Sequence, residues 1–535
     1  MKKWMIILAT LLLTAFLLTG SAHAVRKGGT LNFMAPYGGD LSTLDLTATS
    51  RYQDYLVGMN IHRGLYRWDA VNSVPVLDLP ESVEISADKK TYTFKLRPNI
   101  KFHHGRLMNS DDIIWSLTRI ATMKPSAPAF RYINMIQGAK DLNAGKISTF
   151  TGLKKIDNLT FQITLDVPID LKYSLWFPAV VIYPKEEVER LGDAFATNPV
   201  GCGPFKFVKW VKGSEVVMEK FDEFYMDGLP YLDKITYKIM GEAAARDLAF
   251  KAKELDATIV GAVNYPEYKA DPVISKNMIE VAEMFTRLIG MNPDFKPFSD
   301  KRVRQAINYA IPSDLIIKKI LKGKAFSARG YLPSSSPAFD PKGKKYEFNL
   351  EKAKALMKEA GYEDGFVVKR AIGTANKSWG TGIYEAAMPY LKKIGIELKI
   401  QQMEGAAMDA RIRSSDFDMF IWSLDSGPDS LETMSRWKSD VDVGSGNYVK
   451  FKNAEFDKLL DQAAVAATEA EKNELVKQAD AIFTEEAPVW IFNYNKAVLA
   501  FHPWVHNLSK VAPEMMFQDL TAVWIDETSP RANEK

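Results

Sequence analysis

Strand and helix patterns alternate along the segment 366–422, and no other feature of this sequence constrains the fold as strongly. Three stretches rich in β-branched and other apolar residues alternate with two stretches whose apolar residues recur at helical spacing. Strands and helices in this order predict parallel βαβ units, and therefore an α/β fold. The pattern places strands at 366–372, 396–402 and 417–422 and helices at 380–394 and 405–413.

Two loops of this segment are candidates for ligand binding. In open parallel sheets, ligands bind beyond the carboxyl ends of the strands. That rule selects the loops 373–379 and 423–430, each of which holds polar residues and has a bulky aromatic residue in it or beside it. The alternative is that both loops are ordinary connections between a strand and a helix.

Further patterns indicate mixed α/β structure elsewhere in the chain. Several segments alternate apolar and polar residues as half-buried strands do, and several helices have a recognisable capping residue. Ser299, Asn349 and Thr468 are predicted to cap the N-termini of helices. Gly361 is predicted to follow the C-terminus of the Asn349 helix. The predicted strands are 91–96, 160–165 and 234–239.

The first 24 residues have the pattern of a secretory signal. Lys2 and Lys3 precede an uncharged apolar run over residues 4–18, and small residues with Ala22-His23-Ala24 follow it. A membrane anchor is the alternative, but the apolar run is short for a span of about 20 residues. We therefore expect export across the cytoplasmic membrane with cleavage after Ala24. Because no cysteine follows the run, we do not expect a lipoprotein.

Composition narrows the classes of function. The chain has 535 residues, of which 47% are hydrophobic and 25% are charged, a balance typical of globular proteins. A formal net charge of +3 argues against a nucleic-acid partner, because such proteins carry a strong basic excess. The single cysteine, Cys202, excludes a disulfide framework and a multi-cysteine zinc site. We predict neither a metal site nor a cofactor.

A search for catalytic motifs finds little. The sequence has no G-x-S-x-G, no H-E-x-x-H and no G-x-x-x-x-G-K-[ST]. Cys202 lies between two glycines, which favours a small residue in a tight turn over a nucleophile. The adjacent His103 and His104 would point to opposite faces of a strand and could not chelate one metal together. A secreted hydrolase with an unrecognised carboxylate pair is kept as the alternative to a binding protein.

Several longer motifs, spread over nearly the whole mature chain, carry a family resemblance. The densest lies between Pro75 and Arg119 and includes Thr91-Tyr92-Thr93-Phe94-Lys95-Leu96-Arg97. On these motifs the chain resembles family 5 of the extracellular solute-binding proteins, the group that holds oligopeptide-, dipeptide- and nickel-binding proteins of ATP-driven importers. The other matching segments are 27–31, 44–45, 199–205, Asn292 with 298–310, and 352–366.

The resemblance implies a two-lobed periplasmic binding protein of type II, with α/β architecture, three domains as in cluster C, and a hinged cleft. Domain I would be built from separated segments and domain III would form the second lobe. A solute would lie in the cleft, and closure of the lobes would bury it. The expected boundaries are a signal peptide at 1–24, domain I at 25–55, 171–277 and 487–535, domain II at 56–170, and domain III at 278–486.

The resemblance also implies candidate ligand-binding aromatics. Trp115 falls where the family often places a cleft aromatic, and Trp379 falls at a variable cleft position in the loop 373–379. Trp422 ends the last strand of the alternating segment. Each of the three could stack on a ligand or fill the core instead.

A charged anchor is expected after that last strand. Peptide-binding members place an aspartate there, which pairs with the α-amine of the ligand. The spacing Trp422-Ser423-Leu424-Asp425 favours Asp425. Counting from Phe417-Asp418 instead puts the aspartate position at Gly427, and Asp429 is then the nearest acid.

The function implied is that of a periplasmic receptor without catalytic activity. It would capture a small solute, with a short peptide as the first hypothesis, and deliver it to the permease subunits of an ABC importer. Opines, oligosaccharides, amines and metal chelates are the other ligand classes. Arg411 and Arg413 could serve an acidic ligand or be ordinary exposed helix arginines. We expect a monomer that meets the membrane only through the permease.

Overall fold

The structure, a computed structural model, describes residues 25–35, 39–376 and 380–534. The predicted signal segment 1–24 and Trp379 lie outside the described residues. The α-helices are α1 (Tyr52–Gly58), α2 (Ser110–Thr122), α3 (Ala139–Asn143), α4 (Lys172–Leu175), α5 (Lys185–Leu191), α6 (Ala243–Lys251), α7 (Tyr265–Ala270), α8 (Lys296–Ser299), α9 (Lys301–Ala310), α10 (Ser313–Lys319), α11 (Leu350–Glu359), α12 (Thr381–Leu391), α13 (Gly405–Arg413), α14 (Ser430–Ser435), α15 (Ala454–Ala464) and α16 (Glu469–Glu486).

The strands belong to one large sheet and several small ones. They are β1 (Thr30–Met34), β2 (Tyr66–Asp69), β3 (Val74–Leu77), β4 (Pro80–Ile85), β5 (Thr91–Leu96), β6 (Leu153–Lys155), β7 (Thr160–Thr164), β8 (Phe205–Val211), β9 (Glu215–Lys220), β10 (Lys234–Lys238), β11 (Ala257–Ile259), β12 (Met278–Met291), β13 (Ala325–Phe326), β14 (Phe366–Gly373), β15 (Ile396–Gln402), β16 (Met419–Asp425), β17 (Val489–Phe501), β18 (Val505–His506) and β19 (Trp524–Ile525).

The large sheet has eleven strands in the described chain. Its order is β15-β14-β16-β12-β17-β11-β1-β10-β9-β8, and β13 pairs with β17. The strands β12 and β17 are antiparallel and unusually long, with 14 and 13 residues. Their register shifts between Ala282 and Thr286 and again at Arg287 and Leu288, so the pair is irregular near its middle. A separate four-stranded sheet has the order β4-β5-β7-β6.

The predicted alternation of strands and helices is confirmed. Strand β14 pairs in parallel with both β15 and β16, and the helices α12 and α13 connect the three. The prediction that the last strand ends at Trp422 is wrong, because β16 continues to Asp425. The extension follows from a neighbour distant in sequence, since Phe285 of β12 pairs with Asp425 and Arg287 with Ser423.

The predicted helix caps are mostly confirmed. The side chain of Asn349 accepts from the backbone N–H of Lys352 at 2.9 Å, and that of Thr468 from Glu471 at 3.2 Å. The prediction for Ser299 is wrong, because Asp300 caps α9 while the Ser299 hydroxyl donates back to a carbonyl of its own short helix. Gly361 follows α11 with φ +77°, the left-handed region expected after a helix C-terminus.

The hydrophobic core is divided between two lobes, as predicted. The core of the larger lobe draws on residues 31–284 and 497–525. The smaller lobe has two main cores, which draw on residues 288–492 and lie on opposite faces of the sheet. The long strands β12 and β17 contribute to both lobes and therefore connect them. Within the described ranges, no helix has the length and apolarity needed to span a membrane.

Candidate functional site: the cleft between the lobes

A cavity of about 290 Å³ lies between the two lobes. Part of its lining is an aromatic wall on the larger lobe, which comes from four separate segments of the chain. The other part is the loop after β16 and the start of α14, on the smaller lobe. The aromatic wall consists of Tyr52, Tyr132, Trp176, Phe177 and Phe517.

The rings of the aromatic wall support one another. Tyr132 stacks on Phe177 with ring centres 4.6 Å apart, and Tyr52 stacks on Phe517 at 5.7 Å. Trp176 packs edge-on against Phe517 at 5.9 Å. Stacked and edge-on aromatic pairs add to the stability gained from burial alone. The wall is therefore a preformed apolar surface rather than a set of independent side chains.

The opposite side of the cavity begins at Gly427, whose φ of +53° lets the chain turn away from β16. The hydroxyl of Thr433 donates to the carbonyl of Ser426, which ties this turn to α14. Asp429 caps the same helix by accepting from the N–H of Leu431 at 3.0 Å. Gly427 itself brings no side chain to the cavity.

Charged groups of both signs line the cavity. Arg131 on the larger lobe holds its guanidinium over the ring of Tyr132, 4.6 Å from the ring centre. Glu432 and Arg436 line the cavity from α14 and the residue that follows it. The cavity thus combines a broad apolar surface with a carboxylate and two guanidinium groups, which is how pockets for small polar solutes are built.

A polar contact joins the lobes beside the cavity. Nζ of Lys472 lies 5.2 Å from the centre of the Tyr173 ring on the other lobe, and 3.7 Å from Oδ1 of Asp429. Burial raises the pKa of the Asp429 carboxyl, and the charge of Lys472 offsets part of that rise. Asp429 is therefore held by its cap and by Lys472.

The predicted site residues are distributed differently from this lining. Trp115 is half-buried against the core of the larger lobe, and Trp422 is half-buried against a core of the smaller lobe. Neither of them, nor Asp429, is among the described residues that line the cavity. The backbone of Asp425 ends β16, whereas Trp379 lies outside the described residues. Their assignment to ligand binding stays a prediction.

Sequence reasoning missed the aromatic wall. Trp176 and Phe177 follow a helix of only four residues and have the apolar character of core residues. Phe517 lies 340 positions after Phe177 in the chain, and only folding brings their ring centres within 5.7 Å. A signal that was available is the run of aromatics from Tyr173 to Phe177, which is dense for a loop-like segment.

Arg411 and Arg413 have partners within the smaller lobe. Nε of Arg411 donates to Asp416 at 2.8 Å, and Nε of Arg413 donates to Asp409 at 2.7 Å. Both are therefore ordinary helix arginines, one of the two alternatives that the sequence allowed.

Two other sequence candidates are structural. Cys202 is fully buried between Gly201 and Gly203, which pack against the backbone around Ile61, so its interpretation as a small residue in a tight turn is confirmed. Burial raises the pKa of its thiol to about 12 and lowers the pKa of His103 to about 3. A thiol of this kind is not a nucleophile at neutral pH. The part of the chain that the structure describes has no cluster of three metal-ligating side chains.

The family follows from a comparison with known proteins. The family model described as bacterial extracellular solute-binding proteins, family 5 Middle, matches residues 74–445. The chain belongs to this family. Such a match covers most of the smaller lobe, much of the larger lobe and the loop after β16 that lines the cavity.

Relatives cover nearly the same length. The glutathione-binding protein GsiB of Pectobacterium atrosepticum is 28% identical over 486 residues, which is 88% of this chain and 87% of the relative. Heme-binding protein A of Haemophilus influenzae is 30% identical over 435 residues, 77% of each chain. The solved structure of HbpA2 from Haemophilus parasuis matches with a TM-score of 0.82 at 23% identity, over 94% of this chain and 100% of that one, and so shares the fold.

Family membership decides between the two functional hypotheses. The members are the solute-binding proteins of ABC importers, and these binding proteins act outside the cytoplasmic membrane. This family 5 protein is accordingly a solute receptor, and the prediction of a receptor is confirmed over that of a secreted hydrolase.

Proposed function

We propose that this family 5 protein captures a short peptide in the cavity between its lobes and passes it to its importer. The observation that carries the proposal is the lining of the cavity. The aromatic wall of the larger lobe faces α14 of the smaller lobe. Glu432 lies in the first turn of α14, and Arg436 directly follows its last residue. Arg131 lines the cavity from the larger lobe. A zwitterionic peptide supplies an amine for a carboxylate, a carboxylate for a guanidinium, and side chains for the wall.

The relatives support a peptide-like, carboxylate-bearing ligand. Glutathione, named for the Pectobacterium relative, is a tripeptide. Heme, named for the Haemophilus relative, is a flat molecule that carries two carboxylates. An aromatic wall beside arginines suits both chemistries. A peptide is the first choice of ligand because the carboxylate of Glu432 also lines the cavity and can pair with an amine.

Calorimetry and thermal melting of the mature protein test the proposal. The panel holds dipeptides, tripeptides including glutathione, heme, an opine and an oligosaccharide. A solute at a hundredfold excess over its dissociation constant should stabilise the protein by about 2.7 kcal/mol. Stabilisation by a non-peptide solute, with no peptide effective, contradicts the peptide proposal. We also propose that binding occurs without turnover, so mass spectrometry should recover the bound peptide intact.

We propose that Trp115, Trp379, Trp422, Asp425 and Asp429 act at or near the binding site in the roles that the family resemblance implies. Substitution of each by alanine, with binding measured for the best solute of the panel, tests this directly. A residue whose substitution leaves the affinity unchanged has no such role.

We propose that the domains divide at the boundaries stated above and that domain III closes on domains I and II by bending at β12 and β17. Small-angle scattering should then show a smaller radius of gyration when the peptide is bound. We further propose export with cleavage after Ala24 and a monomeric receptor. N-terminal sequencing of exported protein should begin at Val25, and light scattering should give the mass of one chain.

A further inference from the structure

Two cationic side chains that have no acidic partner among the described residues lie where the lobes join. Arg287 is on β12, and Lys324 directly precedes β13. Nη2 of Arg287 donates to Oδ1 of Asn495 at 2.8 Å, and Nζ of Lys324 donates to the carbonyl of Lys496 at 2.7 Å. Because Asn495 and Lys496 are consecutive residues of β17, the two cations are held close together. Within the described residues, neither forms an ion pair within 4 Å.

The nearby acids already have partners. Oε1 of Glu283 accepts from the N–H of Met515 at 3.0 Å, and its Oε2 accepts from the side-chain amide of Asn495. Glu280 pairs with Lys269 at 3.0 Å and with Lys496 at 3.6 Å. The charge of Glu283 acts on both Arg287 and Lys324 without pairing with either. Arg287 and Lys324, called the cluster below, therefore keep an excess of positive charge.

Its polar atoms are also incompletely bonded. Nε of Arg287 is buried without a hydrogen-bond partner in the described chain. Asn493, which pairs with Arg287 between β12 and β17, is fully buried, and neither its amide nitrogen nor its oxygen has a partner there. Unpaired buried polar groups cost free energy, and a ligand that supplied the missing hydrogen bonds would offset that cost. Burial lowers the pKa of Arg287 to about 10 and that of Lys324 to about 8, and Arg287 adds to the second shift.

The cluster lies near the cavity, although neither Arg287 nor Lys324 is among the described residues that line it. Met515, which binds Glu283, lies between Pro513 and Phe517, both of which line the cavity. On the other side, Phe285 pairs with Asp425, two residues before the lining residue Gly427. Arg287 and Lys324 are half-buried, so part of each side chain is accessible from outside the core.

We propose that Arg287 and Lys324 form an anion subsite at the inner end of the cleft, which binds an oxyanion of the solute. The inference rests on the proposed function and narrows it. The receptor selects peptides that carry a carboxylate beyond the one at the C-terminus, or peptides with a phosphate in its place. Such a ligand satisfies both cations at once, which a neutral peptide cannot do.

Calorimetry with matched peptides tests the subsite. The pairs differ in one group: glutamate against glutamine, and phosphoserine against serine, at the same position. Wild-type protein should bind the acidic member at least tenfold more tightly. Arg287→Gln and Lys324→Met should reduce that preference to threefold or less while still binding the neutral member, which shows that they fold. Arg411→Gln, which removes a cation outside the cleft, should keep the preference.

The outcomes separate this inference from the proposed function. If peptides bind but acidic and neutral members bind equally, the anion subsite is wrong and the peptide receptor stands. If phosphoserine alone shows the preference, the oxyanion is a phosphate; glutamate alone indicates a carboxylate. If the Arg411→Gln protein loses the preference as well, general electrostatics rather than the subsite explains it, and the subsite is wrong.

A second measurement does not depend on the choice of peptide. At equal ionic strength, replacing chloride with sulfate should raise the melting temperature of the wild type by more than that of the double variant carrying Arg287→Gln and Lys324→Met. The Arg411→Gln protein should respond as the wild type does. If no peptide binds but this difference is present, the peptide proposal falls and the subsite stands. If the difference is also missing, both fall.

Discussion

Lys472 of the smaller lobe places its Nζ over the ring of Tyr173 on the larger lobe, 5.2 Å from the ring centre. Because the two residues belong to different lobes, their contact exists only when the cleft is closed at this edge. A partly desolvated cation–π contact contributes roughly 0.5–2 kcal/mol. We expect Lys472→Met to disfavour closure and to weaken solute binding by roughly threefold to tenfold, as measured by calorimetry.

Two controls isolate that contact. Lys477→Met removes a half-buried lysine of the same helix, which pairs with Glu474, and should leave the affinity unchanged. Tyr173→Phe keeps the aromatic face and should bind nearly as the wild type does, whereas Tyr173→Leu should behave like Lys472→Met. Equal affinities for Lys472→Met and the wild type would show that the contact does not contribute to closure.

Tryptophan fluorescence distinguishes two candidate positions at the site. Trp176 belongs to the aromatic wall of the cavity, whereas Trp115 is half-buried against the core of the larger lobe. We expect both tryptophans to respond to solute binding, but Trp176→Phe should reduce the change in emission more than Trp115→Phe does, because Trp176 lines the cavity. A larger effect of Trp115→Phe would place Trp115 nearer to the solute than Trp176.

Much of the fold could be predicted because its signals are local. The strands β14 and β15 and the helices between β14 and β16 follow from the apolar spacing within each segment. The end of β16 could not be predicted in this way. Its last three residues extend a strand because β12, more than 130 positions earlier in the chain, supplies their backbone partners. Pairing between distant strands leaves no mark on either segment alone.

The site could be predicted only in part. The rule for parallel sheets selected the loop 423–430, and Gly427 and Pro428 of that loop line the cavity. The aromatic wall could not be found in the same way, because its members lie far apart in the chain and each one alone has the character of a core residue. The pairing of Arg287 and Lys324 with consecutive residues of β17 is likewise a product of the register.

Two glycines with the same φ angle allow the cost of a left-handed backbone to be measured separately from the cost of a steric clash. Gly361 and Gly365 both have φ of +77°, but a Cβ on Gly361 would meet open space, whereas one on Gly365 would lie 2.0 Å from the carbonyl oxygen of Gly395. We expect Gly361→Ala to cost about 1–2 kcal/mol of unfolding free energy, the usual cost of a left-handed residue with a side chain. Gly365→Ala should cost clearly more, because the backbone at the start of β14 must shift.

Urea unfolding monitored by tryptophan fluorescence measures the unfolding free energy of both variants. Trp437 and Trp490 report on it because they are fully buried in the smaller lobe. Equal losses of unfolding free energy in the two variants would mean that the backbone of Gly365 and Gly395 can move apart to admit a Cβ without further cost.

The stability of the solute-free protein should rise with pH above neutrality because of Lys324. Burial, together with the charges of Arg287 and Lys496 and against those of Glu283 and Glu280, lowers the pKa of Lys324 to about 8. An unfolded lysine titrates near 10.4, so between these values the unfolded chain holds more protons than the folded one. The free energy of unfolding therefore increases with pH in this window.

From pH 7 to 9.5 the gain from this one group is about 2 kcal/mol, which follows from the two pKa values. Lys324→Met lacks the group, so over the same range the unfolding free energy of the wild type should rise by about 2 kcal/mol relative to that of the variant. The other titrating groups, tyrosines included, are present in both proteins, so their contributions cancel when the two unfolding free energies are subtracted at each pH. A difference that stays constant from pH 7 to 9.5 would mean that Lys324 is paired with an acid in solution, and the excess of positive charge at the junction of the lobes would then not exist.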